Sequence, residues 1–356
     1  MRPPLSSVDL ELVRSKTVGL WGEMRDQSIF LTGGTGFFGC WLVESFVHVN
    51  RVERLGAHIT ILSRDPRAFA RKCPHLASDS AVTLLAGDVR DFSWPDGEFK
   101  YVIHAATEAS AKQAAENPIE MLTTILRGTE RVLEFAASHA TQKFLLTSSG
   151  AVYGSQPPSI THLSEDYAGA PNPLKCESVY SEGKRAAELM CAIYGAKYGI
   201  ECKIARCFAF VGPHLPLDAH FAIGNFIRDA MSGDLIRVNG DGTPKRSYMY
   251  AADLAIWLWS ILFRAPAMEA FNVGSNRAVN ILELAHIVAA AIGSPAKVRV
   301  AQQAIPGAEI PQYVPSTRKA EQFLGLKCEV ALEDAIRRSA AWHGYQSGRN
   351  TALRNE

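Results

Sequence analysis

The sequence feature that most constrains the fold is a run of glycines near the start of the chain, Thr-Gly-Gly-Thr-Gly-Phe-Phe-Gly at residues 32–39. A short apolar segment precedes the run, and the apolar residues after it recur at helical spacing. The pattern predicts a strand, a tight turn at Gly33 and a helix. Gly36 lets the backbone approach a pyrophosphate, which the helix N-terminus favours, and Gly39 lets the helix pack close to the strand. The run therefore predicts a dinucleotide site, with an ordinary turn between strand and helix as the alternative.

The segments that follow alternate between the patterns of strands and helices. Strands are predicted at residues 58–62, 82–89, 101–107, 143–147 and 235–238, and helices at residues 118–138, 185–194, 221–231 and 281–292. Strands that alternate with helices in this way are typical of a parallel sheet with helices on both faces. We therefore predict an α/β fold with a Rossmann-type, doubly wound parallel sheet and a ligand at the carboxyl ends of its strands.

Composition argues against several classes of function. The 356 residues carry a net charge of +1 and no basic run, so no nucleic-acid partner is expected. The longest apolar stretch, residues 254–263, is too short to span a bilayer, and the N-terminus lacks the apolar core of an export signal. The seven cysteines form no Cys-x-x-Cys pair and no spacing typical of a metal site. We therefore expect a cytoplasmic protein with buried thiols, no metal and no membrane partner.

The end of the second predicted strand bears on which dinucleotide the chain binds. In folds of this kind an acidic residue at that position binds the ribose 2′-hydroxyl of NAD, whereas an arginine accommodates the 2′-phosphate of NADP. Ser63 stands in the acidic position and Arg64 follows it. The sequence therefore favours NADP(H) over NAD, unless Asp65 turns inward or Arg64 faces the solvent.

Residues suited to proton transfer follow the fifth predicted strand and open a later helix. Ser149 lies at the strand end, and Tyr180 and Lys184 are four residues apart, on one face of a helix. An ammonium beside a phenol favours the phenolate, so we expect Tyr180 to exchange protons near neutral pH. A surface pair is the alternative. His104 lies in an apolar strand and is predicted to be a core residue rather than a catalyst.

Taken together, these motifs resemble those of the extended short-chain dehydrogenases/reductases of the nucleotide-sugar epimerase/dehydratase type. The resemblance runs from about residue 27 to residue 340. The segments that carry it are residues 32–39, 87–89, 104–106, 128–129, 148–154, 180–184, 206–213, 240–246 and 272–275, in family order. It implies a dinucleotide-binding domain, a smaller mixed α/β C-terminal domain that holds a nucleoside-diphosphate sugar, and a homodimer formed through the helices around residues 118–138 and 180–196.

The resemblance also implies roles for individual residues. Tyr180 would be the general acid/base, Lys184 would hold the nicotinamide ribose and lower the phenol pKa, and Ser149 would bind the reacting sugar oxygen. Arg246 would bind the substrate diphosphate, for which a guanidinium is well suited, with a surface charge as the alternative. The cofactor-binding residues would be Gly33, Thr35, Gly36, Phe37, Phe38, Gly39, Ser63, Arg64, Asp88, Val89, Ala105, Ala106, Thr107, Tyr180 and Lys184. The substrate-binding residues would be Glu108, Ser149, Asn225 and Arg246.

The predicted domain boundaries follow from the same resemblance. They divide the chain into an N-terminal helical extension (1–26), a dinucleotide-binding domain (27–206), a substrate domain (207–345) and a polar tail (346–356). Segments near 247–280 are expected to return to the first domain.

Two departures from the family pattern bear on the reaction. Sugar 4,6-dehydratases of this family carry an Asp-Glu pair straight after the catalytic hydroxyl, and its decarboxylases keep the glutamate. Here the two positions are Gly150 and Ala151, so elimination lacks its acid and base unless Glu108 or another acid replaces them. Ile125 and Ala209 also stand where asparagines are usual, which affects the expected substrate pose but not the cofactor.

The sequence thus favours an NAD(P)-dependent enzyme that transfers hydride at a carbon, expected to be C4, of a nucleoside-diphosphate hexose, as an epimerase or a 4-keto reductase. A 4,6-dehydratase with relocated acid/base groups is the first alternative. A dinucleotide-binding sensor or scaffold without catalysis is the second, and the intact Ser149, Tyr180 and Lys184 argue against it.

Overall fold

Seven parallel strands form the central sheet. The structure is a computed structural model and describes residues 1–107, 111–219 and 221–345. The strands of the sheet are β1 (Ser28–Thr32), β2 (His58–Ser63), β3 (Val82–Ala86), β4 (Tyr101–His104), β5 (Lys143–Ser149), β6 (Glu201–Cys207) and β11 (Ala270–Val273). Their order is β11-β6-β5-β4-β1-β2-β3. Successive strands are added on opposite sides of β1, which opens a crevice at the carboxyl ends of β1 and β4. The predicted fold class is confirmed.

Helices cover both faces of this sheet, which explains why its strands are apolar on both sides. The helices are α1 (Ser7–Lys16), α2 (Phe37–Glu53), α3 (Pro66–Lys72), α4 (Pro74–Ala77), α5 (Ala111–Glu116), α6 (Pro118–Ser138), α7 (Val179–Tyr198), α8 (Ala222–Ser232), α9 (Ala251–Arg264), α10 (Ile281–Ala291), α11 (Arg318–Leu324) and α12 (Leu332–Trp342). In β1, Ile29 and Leu31 join the core that contains α2 and α9, whereas Phe30 joins the core that contains α6 and α7.

Short strands make up three further small sheets. They are β7 (Phe210–Val211), β8 (Ile236–Val238), β9 (Lys245–Arg246), β10 (Met249–Tyr250), β12 (Val279–Asn280), β13 (Val298–Val300) and β14 (Gln312–Tyr313). Strand β9 pairs with β12 and β14, and this register sets Arg246 opposite Tyr313. Between these short strands the chain returns to the large sheet through α9 and β11. Among the described residues, no helix combines the length and the apolar character needed to cross a membrane.

The predicted elements agree with the structure except near the ligand edge of the sheet. The helix predicted at 118–138 is α6, and the strand predicted at 143–147 extends to Ser149. Strands β3 and β4 end three residues earlier than predicted, at Ala86 and His104. The backbone turns at the end of β4, where the Ala106 N–H donates to the side-chain oxygen Oγ1 of Thr32 and not to the backbone of a neighbouring strand. Strand β6, which lies between β5 and β11, was not predicted from the sequence.

Candidate active site

The glycine run forms the predicted tight turn between β1 and α2. Gly33 has a φ of +73°, and a Cβ there would lie 2.5 Å from the carbonyl oxygen of Ala105. A Cβ on Gly39 would lie 2.3 Å from the carbonyl oxygen of Gly33, so this glycine packs against the turn itself. A Cβ on Gly36, the residue before α2, would meet only that same oxygen, at 3.4 Å. The backbone of Gly36 is therefore open on the side that faces the crevice.

A cleft of about 350 Å³ lies at this edge of the sheet. The predicted cofactor residues that line it are Gly33, Thr35, Gly36, Ser63, Arg64, Asp88, Val89, Ala105, Ala106 and Thr107. Phe37, Phe38 and Gly39 lie in the first turn of α2 and do not line it. The sequence analysis did not assign to this site the other lining residues, which are Leu62, Gly87, Arg90, Glu120, Met121, Thr124 and Ile125. The cleft has the size and position expected of a bound dinucleotide's adenosine half.

Two arginines, Arg90 and the exposed Arg64, line this cleft together with the carboxylates of Asp88 and Glu120. Arg90 donates to both carboxylate oxygens of Asp88, at 2.7 and 3.0 Å, and holds the pKa of that carboxyl below its usual range. The charge of Arg64 acts in the same direction. Asp65 does not turn into the cleft, because its Oδ1 accepts the N–H of Ala68 at 2.8 Å and caps α3. The Asp88 carboxylate, which follows β3 and lines the cleft, is thus already paired.

Lys184 is buried and anchored by neutral oxygens rather than by an acid. Its Nζ donates to the carbonyl oxygen of Thr147 at 2.7 Å and to Thr107 Oγ1 at 2.9 Å. It lies 6.0 Å from the ring centroid of Tyr180. Burial of the ammonium lowers the pKa of Lys184 to about 8, although Cys207, Glu188 and Cys191 act in the opposite direction.

The expectation that Lys184 makes Tyr180 a phenolate near neutral pH is not met in the protein as it stands. Burial raises the pKa of Tyr180 to about 12, and the opposing interaction with Ser149 is smaller. The hydrogen bonds of Lys184 go to Thr107 and Thr147 rather than to the phenol oxygen. Below about pH 8 the pair is therefore a neutral phenol beside an ammonium.

Ser149 interacts with a second tyrosine that the sequence analysis missed. The Ser149 side chain lowers the pKa of both Tyr180 and Tyr313, although burial raises both. The Tyr313 ring packs on Phe208, with 4.6 Å between centroids. A Cβ on Gly150 would lie 2.6 Å from Phe208 Cζ and 2.7 Å from the Tyr313 hydroxyl. Tyr313 and Phe208 thus occupy the space that a side chain at position 150 needs.

The predicted substrate residues are only partly brought together. Arg246 lies 5.9 Å from the Tyr313 ring and therefore belongs to the group around Ser149. Asn225 lies on α8, where its side-chain oxygen accepts from Arg228 at 3.3 Å, and in the described part of the chain no contact joins it to Ser149, Tyr180 or Lys184. Glu108 lies outside the described residues.

Two groups near the site, the buried His104 and the half-buried Glu188, serve structure. His104 is held between Thr32 Oγ1 at 2.8 Å and Thr129 Oγ1 at 3.1 Å, and burial lowers its pKa to about 3. The prediction that His104 is a hydrogen-bonded core histidine is confirmed. Glu188, one turn beyond Lys184, accepts two hydrogen bonds from Arg206, at 2.7 and 3.1 Å, and is therefore already paired.

Comparison with known proteins places these features in a family. The model of the NAD dependent epimerase/dehydratase family matches residues 29–274. UDP-glucuronic acid decarboxylase 1 of Xenopus tropicalis is 29% identical over 318 residues, which are 89% of this chain and 72% of that protein.

Solved structures of two different enzymes superpose equally well. The UDP-glucose 4-epimerase of Thermotoga maritima gives a TM-score of 0.74 at 20% identity over 89% of this chain and 98% of that one. A dTDP-glucose 4,6-dehydratase of Streptomyces venezuelae, solved with NAD, gives 0.74 at 22% identity over 89% and 97%. The fold therefore does not distinguish between these reactions. The chain belongs to the NAD-dependent epimerase/dehydratase family.

Proposed function

We propose that this protein is an NAD(P)-dependent enzyme that transfers hydride at a carbon, C4, of a nucleoside-diphosphate hexose, as an epimerase or a 4-keto reductase. The observation that carries the proposal is the grouping of Ser149, Tyr180 and Lys184 beside the cleft, with no titratable side chain at positions 150 and 151. Epimerisation and keto reduction need a hydride, which a bound nicotinamide would supply or accept, and one exchanged proton, for which Tyr180 and its neighbours Ser149 and Lys184 are suited.

The residues of the cleft fit a dinucleotide. Gly33 and Gly36 leave the turn without side chains where a pyrophosphate would meet the N-terminus of α2. When bound, the nicotinamide ring supplies or accepts the hydride. Tyr180 gives a proton to the ketone oxygen or removes it from the hydroxyl, Ser149 orients that oxygen, and Lys184 stabilises the phenolate that forms. Arg246 holds the diphosphate of the substrate.

The nucleotide that the protein carries tests this proposal. Freshly purified protein is denatured, and the released nucleotide is identified and quantified by chromatography and mass spectrometry. NAD in a near 1:1 ratio would favour an enzyme that regenerates its cofactor in each cycle, hence an epimerase or a dehydratase, and would contradict the preference for NADP. Empty protein, or protein with NADP, would favour a reductase that exchanges its cofactor at each turnover.

The preference for NADP rests on Arg64 at the end of the cleft, because the charge of Arg90 is already paired with Asp88. Both arginines line the cleft. Replacing Arg64 by alanine removes the guanidinium closest in sequence to the ribose position, so we expect the Kd for NADPH to rise by about tenfold or more, with little change for NADH. Fluorescence titration measures both constants.

Arg67→Ala is the matched control for this prediction, because Arg67 is an exposed arginine of α3 that does not line the cleft. It should leave both constants unchanged. Equal loss of NADH and NADPH affinity in Arg64→Ala, or no loss at all, would argue against recognition of a 2′-phosphate by this residue.

Elimination of water is the alternative that the solved structures named dehydratase keep open. An aspartate at position 150 would restore one acid of the dehydratase pair, but its Cβ would overlap with Phe208 and Tyr313. We expect Gly150→Asp to lower turnover by about tenfold or more, because relieving such overpacking costs about 1–3 kcal/mol, and to yield no dehydrated sugar. Mass spectrometry of the products measures both outcomes.

Ala151→Ser is the control for that substitution, since position 151 already carries a Cβ and the new side chain is small. It should retain most of the activity. Two results would favour a 4,6-dehydratase over an epimerase or 4-keto reductase. They are full activity of Gly150→Asp and release, by the unchanged protein, of a sugar that has lost water.

The exposed apolar side chains of α6 and α7 support a homodimer. The two helices pack side by side, and Leu122 and Ile119 of α6 and Leu189 and Ile193 of α7 are exposed. Leu189 and Ile193 are one turn apart on the same face. We propose that a second copy of the chain covers this face.

Charged residues on that face should produce a monomer. We expect Leu189→Glu combined with Ile193→Glu to halve the mass measured by light scattering after gel filtration, because burying two carboxylates in an apolar interface is costly. Phe323→Glu, which changes an exposed apolar residue of α11, is the control and should leave the mass unchanged. A wild-type protein that is already monomeric would refute the dimer.

A further inference from the structure

Three potential metal ligands from distant parts of the sequence meet behind the N-terminus of α2. They are Cys40 in the first turns of α2, Cys73 between α3 and α4, and His214 in the loop after β7. Their two sulfur atoms and one ring nitrogen all lie within 4.8 Å of one another. All three residues are buried, and neither cysteine forms a disulfide. Cys40 and Cys73 are close enough to share a hydrogen bond.

His214 has one ring nitrogen engaged and the other left over. Its Nε2 lies 2.9 Å from Oε1 of Glu44, a buried carboxylate one turn beyond Cys40. Its Nδ1 is buried, and among the described residues nothing hydrogen-bonds to it. A buried polar atom without a partner is costly and calls for an explanation. A histidine held by a carboxylate through one nitrogen, with the other one free, is the arrangement that metal-bound histidines adopt.

We propose that Cys40, Cys73 and His214 bind a zinc ion, with the two thiolates and Nδ1 as ligands and a water molecule in the fourth position. Thiolate and imidazole are the ligands that zinc prefers, and Zn–S and Zn–N bonds of about 2.3 and 2.0 Å place the ligand atoms roughly 3.5–4 Å apart in a tetrahedron. The observed separations require only small movements to reach that geometry. A disulfide between the two cysteines would leave the free nitrogen of His214 unexplained.

The position of this site gives it a structural role. Cys40 immediately follows the last glycine of the run at residues 32–39, so the ion would fasten the start of α2 to the α3–α4 junction and to the loop after β7. No disulfide links these three segments, which are far apart in the sequence. The ion would thereby fix the helix N-terminus that the proposed function assigns to the pyrophosphate, while itself contacting neither cofactor nor substrate. The site does not depend on which sugar or reaction the protein uses.

Cobalt is the probe for this site, because tetrahedral Co²⁺ bound to thiolates absorbs visible light and its charge-transfer band reports each Co–S bond. The full-length, reduced protein is stripped with a chelator and titrated with Co²⁺ and then with Zn²⁺. We expect one Co²⁺ per chain with a thiolate charge-transfer band that Zn²⁺ displaces. Cys73→Ser should lose about half of that band or all of it, and His214→Asn should weaken binding about tenfold or more. Asparagine suits position 214 because the φ there is +70°.

Cys202→Ser is the matched control, since Cys202 and Cys191 form a second pair of buried, interacting thiols. Among the described residues, no histidine joins that pair in a cluster of potential ligands. The control should bind Co²⁺ as the unchanged protein does. Absence of a stoichiometric band in the unchanged protein, or a band that Cys73→Ser retains in full, would overturn the proposal. A Cys40–Cys73 disulfide in protein purified without reductant, together with no Co²⁺ binding after reduction, would identify a redox pair instead.

Discussion

Tyr180→Phe should reduce turnover by about a thousandfold and leave dinucleotide binding intact, since general acid/base catalysis typically contributes 10²–10⁴-fold. The substitution removes only the phenol oxygen, and the ring keeps its packing against the core that contains α6 and α7. The adenosine half of the cleft is lined by other residues, so the Kd for NAD(P)H should not change. The measurement is the rate of hydride transfer, monitored through the absorbance of the nicotinamide. The substrate is the nucleoside-diphosphate hexose that the unchanged protein converts.

Tyr198→Phe is the control for this prediction, because Tyr198 lies at the exposed end of the same helix. It should be fully active. A Tyr180→Phe protein within about tenfold of full activity would show that another group moves the proton, and Tyr313, beside Ser149, would then be the first residue to test. Cofactor binding without turnover in the unchanged protein would instead favour a sensor or scaffold.

The pH dependence of ketone reduction follows from the pKa values of Tyr180 and Lys184. Tyr180, with a pKa of about 12, holds its proton across the neutral range and is ready to donate it to a ketone. Lys184, with a pKa lowered to about 8 by burial, is charged below that pH and neutral above it. We therefore expect the rate of ketone reduction to be flat below about pH 8 and to fall above it, as the ammonium that stabilises the phenolate is lost. A reduction rate that rises between pH 8 and 10 would contradict this assignment.

Much of the fold was predictable because its signals are local. The helix at 118–138 has a proline at its first position and an apolar stripe, and the glycine run joins a strand to a helix within eleven residues. The grouping of Ser149, Tyr180 and Lys184 was predictable from two facts. Ser149 ends strand β5, at the edge of the sheet where the ligand is expected, and Tyr180 and Lys184 are one turn apart at the start of α7. Local pattern and tertiary structure agree in these segments.

The rest depends on tertiary packing that no local pattern encodes. Tyr313 belongs to a two-residue strand, too short for periodicity, and reaches Ser149 only because β14 pairs with β9. The only sequence signal was the glycine at 150, whose missing side chain leaves room for it. The pKa of Lys184 likewise depends on its burial and on the carbonyl of Thr147, which sequence spacing does not show.

Gly36→Ala and Gly39→Ala should affect the glycine turn in different ways, although they lie one turn apart in the same motif. A Cβ on Gly39 would lie 2.3 Å from backbone atoms of Gly33 and Gly34, which cannot move aside as a side chain can. We expect Gly39→Ala to destabilise the fold by about 3 kcal/mol or more, because overpacking costs about 1–3 kcal/mol and the backbone atoms here cannot move aside, and to lose dinucleotide binding with it. Thermal melting and binding titrations measure the two effects.

Gly36→Ala should separate binding from stability. Its Cβ would meet only the Gly33 carbonyl oxygen, at 3.4 Å, and its φ of −85° suits alanine, so the melting temperature should stay close to that of the unchanged protein. The new methyl group would stand where the backbone approaches the pyrophosphate, so the Kd for NAD(P)H should rise by about tenfold or more, which is about 1.4 kcal/mol. Gly22→Ala, with open space around its Cβ, is the control for both variants. If Gly36→Ala binds the dinucleotide normally, the pyrophosphate does not lie against this turn, and the motif serves only the packing of α2 on β1.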